Sequence, residues 1–158
     1  MKAKQSKLLV VDASVARSAG ETEHPVSCCC RESLLAIHEI CHRLVMTEAI
    51  QVEWRRHASR FTRKWLVSMY AKKKVHPCEG IPLGHVDEAC AELSASDQDG
   101  LRKDLCLVEG ACAGDGIVVT RDDAIVGIWG ECHHRFGLTR QIRWINPQTD
   151  GVQALERL

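Results

Sequence analysis

The sequence predicts an α/β fold, a three-layer α/β/α sandwich around a central parallel sheet, and two observations carry that expectation. First, the runs Leu8-Leu9-Val10-Val11 and Ile117-Val118-Val119-Thr120 are short, apolar and rich in β-branched side chains. That is the composition of strands buried on both faces, as parallel sheets require. Second, segments of helical spacing alternate with short apolar runs, the pattern of strands joined by crossover helices. A chain of 158 residues suits one such domain and is short for two independent cores. The expected core covers about 7–147, with 148–158 as a C-terminal tail.

In order, the first strand ends in Asp12. Cys30, Leu34, Ile37, His38 and Cys41 recur at helical spacing, and a second strand, Arg43–Met46, follows. Thr47 is placed to cap a helix carrying Ile50, Glu53 and Trp54; Phe61, Trp65 and Met69, at four-residue spacing, continue helical structure toward Lys74. Pro77, Gly80, Pro82 and Gly84 mark a loop. A short helix over 85–93, a polar turn over 94–100 and a stronger helix over 103–113 come next, the last stopped by Gly114-Asp115-Gly116. After the Ile117 strand, a helix over 124–136 leads to a last strand over 142–145, closed by Pro147. The tail adds an amphipathic end.

Hydrophobic residues make up 45% of the chain and charged residues 27%, a globular balance that excludes the low-hydrophobicity signature of disorder. Net charge is zero, with 21 basic and 21 acidic residues, so no whole-molecule field steers the protein toward nucleic acid. The distribution is uneven, however: between Gln51 and His76 stand eight basic residues and one acid, Glu53. Arg55, Arg56, Arg60, Arg63 and Lys64 within that stretch are candidate phosphate contacts, unless they form only a solvated helix face. The apolar run after the basic N-terminus is four residues long, too short for a signal peptide or membrane span. Nine cysteines without a secretory signal point to reduced thiols in a cytoplasm.

The acids carry the chemistry. Mg²⁺ or Mn²⁺ prefers oxygen ligands, and Mg²⁺ keeps several waters, so its sites are built from a few carboxylates rather than a closed cage. Such an ion activates water and neutralises charge on a phosphodiester during in-line attack. Asp12 and Asp122 follow two buried strands, where open parallel sheets build their sites. Glu53 sits on the helix after the second strand, and Asp104 opens the helix that feeds the Ile117 strand. Glu48 is the rival helical ligand, but five residues at about 100° each place it roughly 140° from Glu53. Its position at the helix start is explained by the dipole, which leaves Glu53 for the ion.

Val10-Val11-Asp12-Ala13-Ser14 resembles the opening of a PIN domain, and Ile50-Gln51-Val52-Glu53-Trp54 resembles its helical glutamate followed by an aromatic. The segment from Lys103-Asp104-Leu105 to Ala111 is similar to its third acidic segment, and Val118-Val119-Thr120-Arg121-Asp122 to its last. The matches run in the family's order from Leu8 to Pro147. The resemblance implies a metal-dependent endoribonuclease with Asp12, Glu53, Asp104 and Asp122 as its catalytic, metal-holding acids, and Ser14 and Thr120 as supporting hydroxyls. It also implies RNA as substrate, a homodimer, and in many bacterial members a toxin paired with a protein antitoxin. Asp123, adjoining Asp122, is the reserve ligand. The triple cysteine Cys28-Cys29-Cys30 and the segment 76–84 depart from the family pattern.

Two other classes compete. A PIN-like fold can serve as an inactive RNA-binding or assembly module. Alternatively, Cys28, Cys29, Cys30, Cys41, His42, Cys78, Cys132, His133 and His134 supply a zinc or redox site, although no C-x-x-C pair with a matching second pair exists. The four tryptophans are expected in the core or an interface, with Trp54 and Trp65 the ones nearest the basic run.

Overall fold

The computed structural model describes residues 5–138 and 141–158. Five short strands form one parallel sheet in the order β3-β2-β1-β4-β5. β1 (Leu8–Val11), β2 (Arg43–Met46) and β4 (Ile117–Val119) form its centre and are almost wholly buried, while β3 (Val75–Pro77) and β5 (Arg143–Ile145) are the more exposed edges. Helices cover both faces, giving a three-layer α/β/α sandwich. From β1 the chain crosses outward through α1 (Ala13–Ser18) and α2 (Pro25–Ile40) to β2, then through α3 (Glu48–His57) and α4 (Arg60–Ala71) to β3. It returns to the other side of β1 through α5 (Val86–Cys90) and α6 (Ala95–Ala113), and continues by α7 (Asp123–Cys132) to β5 and α8 (Gly151–Glu156). Strand order therefore reverses between β1 and β4, and in open α/β sheets the crevice beyond the carboxyl ends at that reversal is where ligands bind.

The main apolar cluster surrounds the sheet, and a second lies among α5, α6, α7 and the 3-10 turn His133–Phe136; Ile142 and Trp144 pack against both. Gly114, where α6 ends, has no room for a side chain, since a Cβ there would stand 2.6 Å from the Leu8 carbonyl oxygen. The tail is docked as well: Leu155 is fully buried, and α8 packs on α2. Buried His42 pins it, accepting the Lys7 backbone N–H on Nδ1 at 3.0 Å and therefore donating from Nε2 to the Leu155 carbonyl, also at 3.0 Å.

Several boundaries differ from the sequence expectation. The helix expected from 103 begins at Ala95, so the polar turn over 94–100 is helical and Asp104 lies inside α6 rather than opening it. Ser94 caps the new start by accepting the Asp97 N–H, and fully buried Leu101 fixes its first turns against the second cluster; packing overrides the weak propensity of Ser, Asp and Gly. The basic helical stretch is two helices, broken at Ala58 and restarted by Ser59, whose hydroxyl accepts the Thr62 N–H and donates to the Ala19 carbonyl. Val75–Pro77, read as the approach to a loop, pairs with β2 as an edge strand, where a proline is tolerated. The helix after β4 turns 3-10 at His133, and short α1 was not foreseen.

Candidate active site

At the carboxyl ends of β1 and β4 a cleft of about 350 Å³ brings together Asp12, Glu53, Asp104 and Asp122. Each comes from a different element. Asp12 follows β1, and its Oδ2 accepts two hydroxyl hydrogen bonds, from Ser14 at 2.7 Å and Thr120 at 2.8 Å. Those hydroxyls also join the two strand ends: Ser14 Oγ accepts the Arg121 N–H at 3.2 Å, and Thr120 Oγ1 accepts the Asp122 N–H at 3.0 Å. Asp122 caps α7, its Oδ1 accepting the Ala124 N–H at 2.9 Å. Glu53 is carried in by α3, whose neighbouring Trp54 is buried and donates from its indole N–H to the Val11 carbonyl at 2.9 Å. That bond ties α3 to the end of β1. Asp104 enters from α6, which packs on β1, β2 and β4.

Burial pushes the Asp104 carboxyl up to about 6, and the charges of Asp12 and Asp122, and more weakly Glu53, push the same way against Lys103. The four carboxylates thus lie within each other's field, and an ion between them would relieve it. Burial, with Asp104 and Asp12 next, raises the nearby Cys106 thiol to about 11, which keeps it protonated and unreactive at neutral pH. Among the described residues no three His, Cys, Asp or Glu side chains form a ready-made metal group. The all-oxygen set fits a hard ion that keeps its own waters and takes few direct carboxylates, and it does not fit a closed zinc cage.

The cleft also holds Arg17, His57, Lys103 and Arg121, none of which the sequence reading assigned to the site. Arg121 is half-buried, donating from Nη1 to the Ser18 hydroxyl at 2.7 Å and from Nε to the Gln148 carboxamide at 3.2 Å. Both partners are neutral, so no ion pair among the described residues balances this guanidinium. Its place between Thr120 and Asp122 was the available signal. His57 Nε2 lies 3.5 Å from Glu53 Oε2, one helical turn away.

Asp123 stands outside the cleft, exposed at the start of α7, with its Oδ1 accepting from the Asn146 side chain at 3.0 Å; it ties α7 to the end of β5. Arg55, Arg56, Arg60, Arg63 and Lys64 are all exposed on α3 and α4. Trp54 and Trp65 are core residues, each with its indole N–H on a backbone carbonyl. All nine cysteines are free thiols; Cys28, Cys29 and Cys30 are consecutive on α2, about 100° apart, and cannot face one ion together.

Glu48 is exposed and lines a separate depression with Glu79 and Glu109, while Glu53 lines the cleft. On the sequence expectation of RNA cleavage by this cleft, Glu53→Gln slows that reaction at least about tenfold, whereas Glu48→Gln shifts stability by about 0.3–1 kcal/mol, the scale of an exposed dipole interaction. Parallel cleavage assays and melts check this, and loss of activity in Glu48→Gln alone would reverse the assignment. Comparison with models of known protein families and with curated proteins finds no match.

Proposed function

We propose that this protein is a metal-dependent endoribonuclease of the PIN type, hydrolysing RNA phosphodiester bonds in the β1–β4 cleft. The supporting observation is the pairing, in one cleft at the sheet's reversal point, of four carboxylates from four elements with Arg17, Lys103 and Arg121. Acids alone would suit many ions; acids beside a guanidinium that makes no ion pair among the described residues suit an ion and a phosphate together. Asp12, Glu53, Asp104 and Asp122 hold Mg²⁺ or Mn²⁺, which when bound supplies an activated water and neutralises phosphate charge. Ser14 and Thr120 orient Asp12 by their hydroxyl donations. Arg121, held rigid by Ser18 and Gln148, binds a non-bridging phosphate oxygen, and Arg17 and Lys103 add to the local positive potential.

The resemblance in motif order extends the proposal to a homodimer and to a toxin with a protein antitoxin, read by light scattering and co-purification. Nine free thiols are in keeping with a reducing cytoplasm, and among the described residues no helix is long and apolar enough to cross a membrane. The direct test is cleavage of single-stranded RNA by purified protein with Mg²⁺ or Mn²⁺, lost in excess EDTA and restored by the ion. Full activity in EDTA would remove the metal from the reading, and RNA binding without cleavage under every ion would favour a binding module.

A further inference from the structure

On the far side of α3 from the cleft, a groove of about 400 Å³ opens between α3 and α4, within the roughly 300–1,000 Å³ typical of small-ligand sites. On α3, Gln51 and Arg55 face it one turn apart; on α4, Arg63, Leu66 and Tyr70 face it at spacings of three and four residues. Buried Trp54 lines this groove and the carboxylate cleft alike from the core side of α3, and the helix stands between the two hollows, since Gln51 and Arg55 each lie roughly 160° round it from Glu53. The Trp54 indole is a wall, being 2% exposed with its N–H committed. Tyr70 is the aromatic within reach of a ligand, at 43% exposed. Arg55 and Arg63 are exposed and make no hydrogen bond or ion pair among the described residues, and no carboxylate lines the groove.

These features select an occupant. Two guanidinium groups without a carboxylate call for an anion, and a two-fold contact with a second copy would set this cationic face against itself. An exposed tyrosine beside leucine offers a flat apolar surface, which a nucleobase fills by stacking. Across α3 from the groove lies the cleft whose residues suit a phosphodiester. We propose that it is a nucleobase subsite for single-stranded RNA. A nucleotide further along the strand, past α3 from the scissile bond, lays its base on Tyr70 and Leu66, with its phosphate between Arg55 and Arg63. The Gln51 carboxamide, able to donate and accept, reads the base edge. This inference rests on the ribonuclease reading and gives it a place where sequence preference arises.

The experiment measures fluorescence anisotropy of a labelled 12-nucleotide RNA with the full chain in EDTA, an abasic residue being moved along the strand. Wild type is expected to show one position where loss of the base weakens binding by about tenfold, on the scale of base–aromatic stacking. Tyr70→Ala should weaken the intact RNA by a similar factor and erase the sensitivity at that position alone, and Tyr70→Phe should retain it. Gln51→Ala should change which base is preferred there. An abasic profile identical in wild type and Tyr70→Ala overturns the subsite, whether or not the protein cleaves RNA with Mn²⁺. A Tyr70-dependent position in a protein that never cleaves overturns the nuclease reading instead. Two other results also overturn the subsite: Tyr70→Ala converting a dimer to a monomer with RNA binding intact, and poly-glutamate displacing the RNA with no abasic effect. Melting curves confirm that each variant is folded.

Discussion

Asp12→Asn is expected to lower RNA cleavage at least about a thousandfold, equivalent to about 4 kcal/mol in the barrier, without lowering the melting temperature of metal-free protein. Asp12 has two roles that this substitution separates. As a charge, it belongs to a set of four carboxylates crowded into one cleft. As an acceptor, its Oδ2 receives the hydroxyls of Ser14 and Thr120, which join the ends of β1 and β4. An asparagine carbonyl oxygen can receive both hydroxyls, so the join survives while one repelling charge is removed. Asp12→Ala removes the acceptor as well and leaves two hydroxyls to find other partners, at a cost of about 1–3 kcal/mol. The pair should therefore be equally inactive and unequally stable. Asparagine activity above a tenth of wild type, or a metal-free melting temperature as low as that of the alanine variant, would make Asp12 a structural residue.

Asp104→Asn is expected to cut cleavage by at least about a hundredfold and, in metal-free protein at neutral pH, to raise stability. The folded Asp104 carboxyl holds its proton up to about 6 against an ordinary 3.8, chiefly because it is buried and then because Asp12 and Asp122 are near. Folding takes up a proton between those values, so its contribution to stability is fully present below the unfolded value and is lost as pH rises through about 6. Two pH units correspond to at most about 2–3 kcal/mol; water reaching this half-buried carboxyl screens that to on the order of 1–2 kcal/mol, or roughly 2–8 °C in melting temperature for a chain of this size. The difference in melting temperature between wild type and Asp104→Asn should therefore appear across pH 4–6 and level off above. Saturating Mn²⁺ should shrink or reverse it, because only wild type gains from the ion. A difference independent of both pH and metal would mean that Asp104 does not sit among charged carboxylates.

Much of this was legible in the sequence because it rests on local rules. The strands at Leu8 and Ile117 are short apolar runs that only a doubly covered sheet can bury, and an acid at the carboxyl end of each is placed by strand direction alone. Helical geometry also separates Glu48 from Glu53, since their angular difference holds wherever the helix lies. The start of α6 was not legible: its first turn reads Ala-Ser-Asp-Gln-Asp-Gly over 95–100, a turn composition, and it is helical because Leu101 is packed out of water. Nor was Arg121 legible as a site residue. Its partners Ser18 and Gln148 lie 103 and 27 residues away, and only the assembled sheet brings them to one place. The groove of Tyr70 has the same origin, because the break at Ala58 and Ser59 folds α4 beside α3 and turns a run of basic residues into a walled surface. The sequence by itself determined which acids stand at strand ends and which helical face carries Glu53. Tertiary structure alone decided their convergence with Arg121 and raised the Asp104 carboxyl, since desolvation and charge proximity arise from long-range packing that residue spacing does not encode.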